Sequence, residues 1–180
     1  MHTSKFIEQL ETIIQNNDIC RIERKDIDEY KKSGKPIIFN NNFLLIYYEY
    51  DFEFDGFEIL KLSDITDIEY EDVDIFIGNI LRNENIMPIE YNLEKFSIDG
   101  FKNIFQYFFN VSENIIIECE RNSEFNVGKI LKIYDDHIMF LNFDGKGTWD
   151  KDPLDIYYED ITLISFRNRY VKYMSKYVHN

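Results

Sequence analysis

The stretch SDITDIEY at residues Ser63–Tyr70 returns 96 residues later as EDITLISF at residues Glu159–Phe166. In both copies the step Asp-Ile-Thr separates two short runs rich in β-branched and aromatic residues. Runs of this kind are typical of β-strands, and so short a step between them is typical of one strand bending sharply into the next. A recurrence at this distance indicates that the chain contains two related units.

Further matches lie upstream of this pair. Gly34-Lys35 corresponds to Gly128-Lys129 at an offset of 94 residues, and Leu44-Leu45-Ile46 then falls opposite Ile138-Met139-Phe140. Small changes in offset are expected where matched strands are joined by loops of different length. Two lone cysteines, Cys20 and Cys119, take similar places near the start of each unit, and we expect both to be buried thiols.

The matches divide the chain into a first domain at residues 1–85, a linker at residues 86–97 and a second domain at residues 98–180. The linker contains Pro88 and shows no clear hydrophobic period. Units of this size hold only a modest core, so we expect the two to pack on one another.

Each unit opens with an apolar stripe at helical spacing and then changes to a period near two. The predicted strands of the first unit are Asp18–Arg24, Lys35–Phe39, Phe43–Phe52, Phe57–Leu62 and Ile65–Tyr70. Those of the second are Asn114–Arg121, Val127–Tyr134, Ile138–Phe143, Leu154–Tyr158 and Ile161–Phe166. Ser33-Gly34 and Asp55-Gly56 are among the predicted turns. A second helix follows each set of strands, at Asp72–Leu81 and Asn168–Tyr177.

A helix followed by five short, bent antiparallel strands is the plan of an Sm-like small barrel. The predicted fold class is therefore α+β, mainly β, with two tandem Sm-like five-stranded small barrels, each preceded and followed by a helix. In the second predicted helix of the first unit, the apolar stripe consists of Val73, Phe76, Ile77 and Leu81.

The sequence also resembles a family of uncharacterised bacterial proteins with tandem units of this kind. In the first half the resemblance is carried by Phe43–Ile46, Asp51-Phe52, Phe54-Asp55-Gly56 and Asp64–Ile68. In the second half it is carried by Gly128, Trp149, Tyr158, Asp160-Ile161-Thr162 and Tyr170. The resemblance implies the fold and transfers no functional residue, because the family has no settled activity.

Acidic side chains outnumber basic ones, 34 to 20, which gives a formal net charge of −14. Binding to nucleic acid or to an anionic membrane needs a basic surface, so this charge disfavours both. The imbalance is local. Residues 49–74 hold 11 acidic residues against Lys61 alone, a net charge of −10, whereas residues 161–180 hold four basic residues and no acidic one. Nucleic acid is therefore disfavoured firmly for the first half and weakly for the second.

The acidic window alternates in a way that predicts one charged strand face. Glu49, Asp51, Glu53 and Asp55 are two residues apart, so an extended strand places them on one side and the intervening aromatic residues on the other. Three interpretations stay open: a solvated outer face that also guards a sheet edge, a docking site for a basic protein, and part of a metal loop. The third is the weakest, because an EF-hand would need a glutamate where Leu62 stands.

The leading hypothesis is a non-enzymatic interaction protein, possibly in the specific form of an immunity protein or inhibitor that binds a basic partner. The predicted partner-binding residues are Glu49, Asp51, Glu53, Asp55 and Glu58. The alternative is an Sm-like nucleic-acid-binding regulator that uses the basic C-terminal helix. Its predicted contact residues are Arg167, Arg169, Lys172, Lys176 and Trp149.

The remaining expectations are exclusions. The sequence shows no catalytic, cofactor or metal-binding motif, so we expect a protein that is not an enzyme and holds neither cofactor nor metal. The longest apolar runs are far shorter than the ~20 residues of a membrane span, and no basic, apolar leader opens the chain. We therefore expect a cytoplasmic protein without a membrane partner. Its oligomeric state, monomer or homo-oligomer, stays open.

Overall fold

The structure is a computed structural model that describes residues 4–88 and 93–179. Its internal contacts divide the chain into two units, Met1–Leu93 (unit 1) and Glu94–Asn180 (unit 2). Part of the predicted linker, residues 89–92, lies outside the described residues. Both units combine helices with antiparallel strands, and the strands predominate. The predicted α+β, mainly β, class is thus confirmed.

Unit 1 contains a helix, five strands and a second helix. The elements are α1 (Ser4–Asn16), β1 (Cys20–Arg24), β2 (Asp28–Phe39), β3 (Phe43–Tyr50), β4 (Glu53–Lys61), β5 (Asp67–Glu69) and α2 (Asp72–Asn83). A 3-10 turn at Leu62–Asp64 separates β4 from β5. The strands lie in the order β5-β1-β2-β3-β4. Phe6, Leu10 and Ile13 are buried, as the helical stripe of α1 predicts.

Unit 2 repeats this plan. Its elements are α3 (Phe101–Val111), β6 (Ile115–Cys119), β7 (Glu124–Ile133), β8 (His137–Asn142), β9 (Leu154–Tyr157), β10 (Leu163–Phe166) and α4 (Arg169–Met174). The strands lie in the order β10-β6-β7-β8-β9. Each strand of unit 2 therefore has the same neighbours as its counterpart in unit 1.

The pairing register repeats as well. Gly34 pairs with Tyr48 in unit 1 and Gly128 pairs with Asn142 in unit 2, so both partners move by 94 residues. The register shift that follows Pro36 in β2 recurs at the matching point of β7. Other pairs show offsets of 94 to 96 residues. The pair Ile22–Ile68 of unit 1 corresponds to Ile117–Ile164 of unit 2. The pair Leu44–Leu60 of unit 1 corresponds to Ile138–Ile156 of unit 2. The two units therefore share one pattern of strand pairing.

The threonine of the repeated Asp-Ile-Thr step has the same role in both units. Thr66 donates its backbone N–H and its hydroxyl to the carbonyl of Glu23, at 2.8 Å and 3.1 Å. Thr162 donates the same two groups to the carbonyl of Glu118, at 2.9 Å and 3.0 Å. Each hydroxyl also accepts the backbone N–H two residues beyond that glutamate, at 3.3 Å and 3.1 Å. The step thus ties the start of the last strand to the end of the first.

Three features of the sequence interpretation are wrong in detail. Ser33-Gly34 lies inside β2 and forms no turn, because the glycine lets the backbone of β3 approach: a Cβ there would lie 2.9 Å from the carbonyl oxygen of Tyr47. Asp55-Gly56 lies inside β4. The two buried cysteines are also not equivalent, since Cys20 pairs with Gly34 whereas Cys119 pairs with Glu124.

In its first two turns, the second helix of unit 1 docks through polar and small side chains. Asp74, Gly78 and Leu81 form its buried side. The Asp74 carboxylate accepts two hydrogen bonds from the guanidinium of Arg21, at 2.8 Å and 3.1 Å. Gly78 lies against the buried carboxylate of Asp18, so closely that a Cβ would come within 1.9 Å of its Oδ1. Val73 and Phe76 therefore face away from the unit, whereas Leu81 in the last turns is buried against Ile19 and Met87.

The second helix of unit 2, α4, docks on its unit through apolar side chains. Val171 of α4 is buried against Ile116, Val127 and Phe143. When the N-caps of the two helices, Glu71 and Asn168, are aligned, Val171 takes the place of Asp74. Ile116 likewise takes the place of Arg21 in strand pairing, since Arg21 pairs with Glu69 and Ile116 with Ser165. An ion pair in unit 1 thus corresponds to an apolar contact in unit 2.

Candidate interaction surface

The predicted acidic strand is interrupted by the turn of the β3–β4 hairpin. Tyr50 pairs with Glu53, which leaves Asp51 and Phe52 as a two-residue loop with φ of 52° and 66°. The single charged strand face predicted over residues 49–55 is therefore wrong, because the chain reverses within it. The sequence gives little sign of this turn, since loops of this geometry favour Asn-Gly or Asp-Gly.

Two of the five predicted partner-binding residues lie inside the protein. Glu49 is buried, and its carboxylate accepts the backbone N–H of Phe52 at 2.8 Å and the hydroxyl of Ser33 at 2.6 Å. Glu58 is buried beside Lys32, whose Nζ lies 3.3 Å from its carboxylate. Glu49 thus fixes the hairpin loop from within, and Glu58 compensates the half-buried cation of Lys32.

The other three residues lie at or near the tip of the hairpin. Asp51 and Glu53 are exposed there, together with the aromatic rings of Tyr50 and Phe52. Asp55 is half-buried in a bulge of β4, where the register shifts and the following glycine has a φ of 79°. The hairpin therefore presents two exposed aromatic rings and two exposed carboxylates within four consecutive residues.

Phe52 holds a backbone conformation that is unfavourable for its residue type. A positive φ is uncommon for residues other than glycine and is an outlier for a bulky side chain. Such conformations cost about 1–3 kcal/mol and persist where the surroundings enforce them, often at functional sites. Here the buried carboxylate of Glu49 holds the loop in this conformation, because it accepts the backbone N–H of Phe52. Below it, the ring of Tyr47 packs on Phe54 and Phe57, with centroids 5.0 Å and 4.5 Å away.

The matching loop of unit 2 is built differently. Phe143 is the counterpart of Glu49 in the strand register of unit 2. A loop runs from Phe143 to Pro153, and β9 follows it. Trp149 is half-buried in this loop, with its ring edge-on to Phe143 at 5.3 Å between centroids and Lys129 Nζ 4.6 Å from its centroid. Trp149 therefore helps to close the core of unit 2.

The predicted basic contact residues lie on one segment of unit 2 in different states. Arg167 is hydrogen-bonded to the carboxylate of Glu113 at 3.1 Å and to the hydroxyl of Tyr107 at 2.9 Å. Arg169, Lys172 and Lys176 are exposed. A groove of about 590 Å³ beside α4 includes Arg167, Lys172 and also Glu113, so its charge is partly balanced.

Two kinds of feature are absent from residues 4–88 and 93–179. No helix in these ranges has the length and apolar character needed to cross a membrane. No group of three or more His, Cys, Asp or Glu side chains there is arranged to hold a metal ion. The spacing that suggested an EF-hand does not form a calcium loop. The β3–β4 turn holds Asp51 and the β4 bulge holds Asp55, so the acidic residues are not parts of one continuous loop.

Comparison with known proteins yields no match to a family model, a curated protein or a solved structure.

Proposed function

We propose that the chain is a non-enzymatic interaction protein whose unit 1 binds a basic protein partner at the tip of the β3–β4 hairpin. An immunity protein or inhibitor that neutralises a cationic toxin is the specific form of this proposal. One observation carries it: Tyr50 and Phe52 are exposed next to Asp51 and Glu53, on a turn held in a strained conformation.

The tip combines the two kinds of side chain that a binding site for a basic protein needs. Aromatic residues supply most of the binding energy in protein interfaces, because they bury large areas with few rotatable bonds. Carboxylates around them speed association with a cationic partner and select against anionic ones. A protein that binds nucleic acid carries a basic surface, and the acidic tip of the hairpin can bind to that surface.

We further infer that each unit is an Sm-like small barrel. The strand order, in which the fifth strand pairs with the first and the other strands follow in sequence, supports this inference in both units. The helix that precedes each set of strands supports it as well. The hydrogen bonds of Thr66 and Thr162 join the last strand to the first, as the sharp bend of a small barrel requires.

The test is charge reversal at the tip in the full chain, with the variant Asp51→Lys/Glu53→Lys. Wild-type and variant proteins are immobilised, and the proteins that each captures from a native lysate are quantified by mass spectrometry. The matched control is Glu8→Lys/Glu11→Lys, which changes the net charge equally at exposed positions of α1. Circular dichroism and thermal melting show whether each variant is folded.

The proposal predicts that wild type and control enrich the same basic protein and that the tip variant loses it. The captured protein is then purified, and its affinity for the three chains is measured by calorimetry. Equal affinity of the tip variant and the control would contradict the proposal. Capture of acidic proteins alone by wild type would contradict it as well.

A further inference from the structure

The outer faces of α2 and α4 carry large side chains at matching positions. With the N-caps Glu71 and Asn168 aligned, Val73, Phe76 and Ile80 correspond to Tyr170, Tyr173 and Tyr177. Both sets follow the spacing i, i+3, i+7, which places them along one side of a helix. Beyond the end of α4 the helical turns continue, since Tyr177 donates its N–H to the carbonyl of Met174 at 2.9 Å.

Five of these six side chains are exposed although they are large and apolar or aromatic, and Ile80 is half-buried. Val73 and Phe76 are 48% and 65% exposed, and the three tyrosines are 44%, 55% and 75% exposed. The helix α2 turns Asp74, Gly78 and Leu81 toward its unit, so Val73 and Phe76 point to solvent. A contiguous exposed apolar face of this kind marks a surface that meets another protein.

The two faces carry opposite charge. Exposed Asp72 and Glu84 stand at the start and just beyond the end of α2, whereas Glu71 pairs with Arg21 of its own unit at 3.2 Å. Exposed Arg169, Lys172 and Lys176 surround the tyrosines of α4, and residues 161–180 contain no acidic residue. Lys172 Nζ and Lys176 Nζ lie 6.0 Å and 5.6 Å from the centroid of the Tyr173 ring. An acidic apolar stripe in unit 1 is thus matched by a basic aromatic stripe in unit 2.

We propose that the α2 face of one molecule docks on the α4 face of a second copy of this chain. Tyrosines are favoured at interface centres, and the lysines around them then meet the carboxylates of the partner molecule. The contact joins two different surfaces, so a pair held by one such contact keeps one free α2 face and one free α4 face. Association therefore continues beyond a dimer.

This contact does not conflict with the net charge of the chain. At an ionic strength of 0.15 M the Debye length is about 8 Å, so repulsion between whole molecules is largely screened while charges in direct contact still attract. Two short helical faces bury little area, which places the contact among weak interfaces. We therefore expect association that rises with protein concentration.

Sedimentation velocity on three full-length proteins tests the proposal: wild type, Phe76→Lys and Tyr173→Glu, each up to about 1 mM. Phe76→Lys places a cation opposite the basic face, and Tyr173→Glu places an anion opposite the acidic face. Each variant should associate at least about tenfold more weakly than wild type. An equimolar mixture should associate again, because the intact α2 face of Tyr173→Glu meets the intact α4 face of Phe76→Lys.

Phe109→Lys, at an exposed phenylalanine of α3, is the control and should behave as wild type. Asp51→Lys/Glu53→Lys should also associate normally, so failure here is distinguishable from failure of the hairpin proposal. Three results would overturn the inference: wild type that stays monomeric up to about 1 mM, a single variant that self-associates like wild type, or a mixture that stays monomeric.

Discussion

At the scale of single residues, Thr66 and Thr162 allow a matched comparison. Their hydroxyl groups make the same hydrogen bonds, but Thr162 is buried whereas Thr66 is exposed. Replacing Thr162 by valine removes one of the two hydrogen bonds to the carbonyl of Glu118 and takes the hydroxyl acceptor from the backbone N–H of Glu120. We expect Thr162→Val to lower the free energy of unfolding by about 1–3 kcal/mol, and Thr66→Val to lower it by less.

Urea denaturation followed by circular dichroism measures both changes. Thr12→Val serves as a control, because that exposed hydroxyl only bonds back to Glu8 in its own helix. If Thr66→Val costs as much as Thr162→Val, water does not replace the lost bonds at the exposed position, and the explanation from burial is wrong.

Lys35 predicts how stability depends on pH. Its buried ammonium donates to the carbonyl of Pro88 at 2.7 Å. Burial, reinforced by the charge of Arg82 and opposed by that of Asp18, lowers the pKa of Lys35 to about 8. An unfolded lysine has a pKa of about 10.4, so above pH 8 the unfolded chain binds more protons than the folded chain. Stability contributed by this group therefore rises with pH above about 8.

The measurement is the free energy of unfolding of wild type and Lys35→Met between about pH 7.5 and pH 9.5, below the range in which tyrosines ionise. Wild type should gain stability relative to Lys35→Met across this interval. Parallel curves for the two proteins would show that Lys35 keeps an ordinary pKa in the folded chain.

At the scale of secondary-structure elements, the β3–β4 hairpin predicts a conflict between stability and binding. Glycine adopts a positive φ without strain, so Phe52→Gly should raise the free energy of unfolding by about 1 kcal/mol. The same change removes an exposed ring from the proposed contact, and we expect the partner to bind more weakly. Thermal melting and calorimetry with the captured partner measure the two effects.

Phe125→Gly is a useful comparison, because it removes an exposed phenylalanine in β7, where φ is not positive. It should destabilise the protein and leave partner binding unchanged. A Phe52→Gly protein that loses stability would show that the ring contributes more to folding than the strained backbone costs.

The sequence predicts regular elements well and their orientation less well. The stripe of α1 and the repeated Asp-Ile-Thr step are local patterns, so they suffice to place a helix and the last strand of each unit. The turn at Asp51-Phe52 lacks the glycine or asparagine that marks such loops. The outward face of α2 depends on Arg21, which binds Asp74 from 53 residues away, and no local period reveals such a pairing.

The candidate surface is predictable to a similar extent. The acidic window correctly identifies the segment in which Asp51 and Glu53 are exposed. Its charge alone does not distinguish them from Glu49 and Glu58, whose carboxylates contact Ser33 and Lys32 of β2. Side-chain partners distant in the chain thus decide which carboxylates reach solvent.

At the scale of the whole molecule, the two units are natural references for one another. Arg21 and Asp74 in unit 1 occupy the places of Ile116 and Val171 in unit 2. We expect Arg21→Ile alone to destabilise the protein by about 3–5 kcal/mol, since it leaves a buried carboxylate without its cation. The double variant Arg21→Ile/Asp74→Val should recover much of this loss, because it installs the apolar pair of unit 2.

Urea denaturation of both single variants and the double variant gives the coupling between the two positions. A double variant whose loss equals the sum of the single losses would mean that the two residues do not stabilise the helix as a pair. Asp74 also caps α2, so a modest loss should remain in the double variant.

The shared strand register also bears on folding errors. During synthesis a last strand that arrives at the wrong first strand finds matching backbone partners, and repeat proteins are prone to such misassembly. Side chains distinguish the correct first strand from the wrong one. Arg21 in β1 meets Glu69 in its own unit, whereas the strand of unit 2 would offer Ser165 and leave the guanidinium without that carboxylate. The ion pair of Arg21 with Glu69 thus favours strand pairing within unit 1, although the backbones of the two units offer the same register.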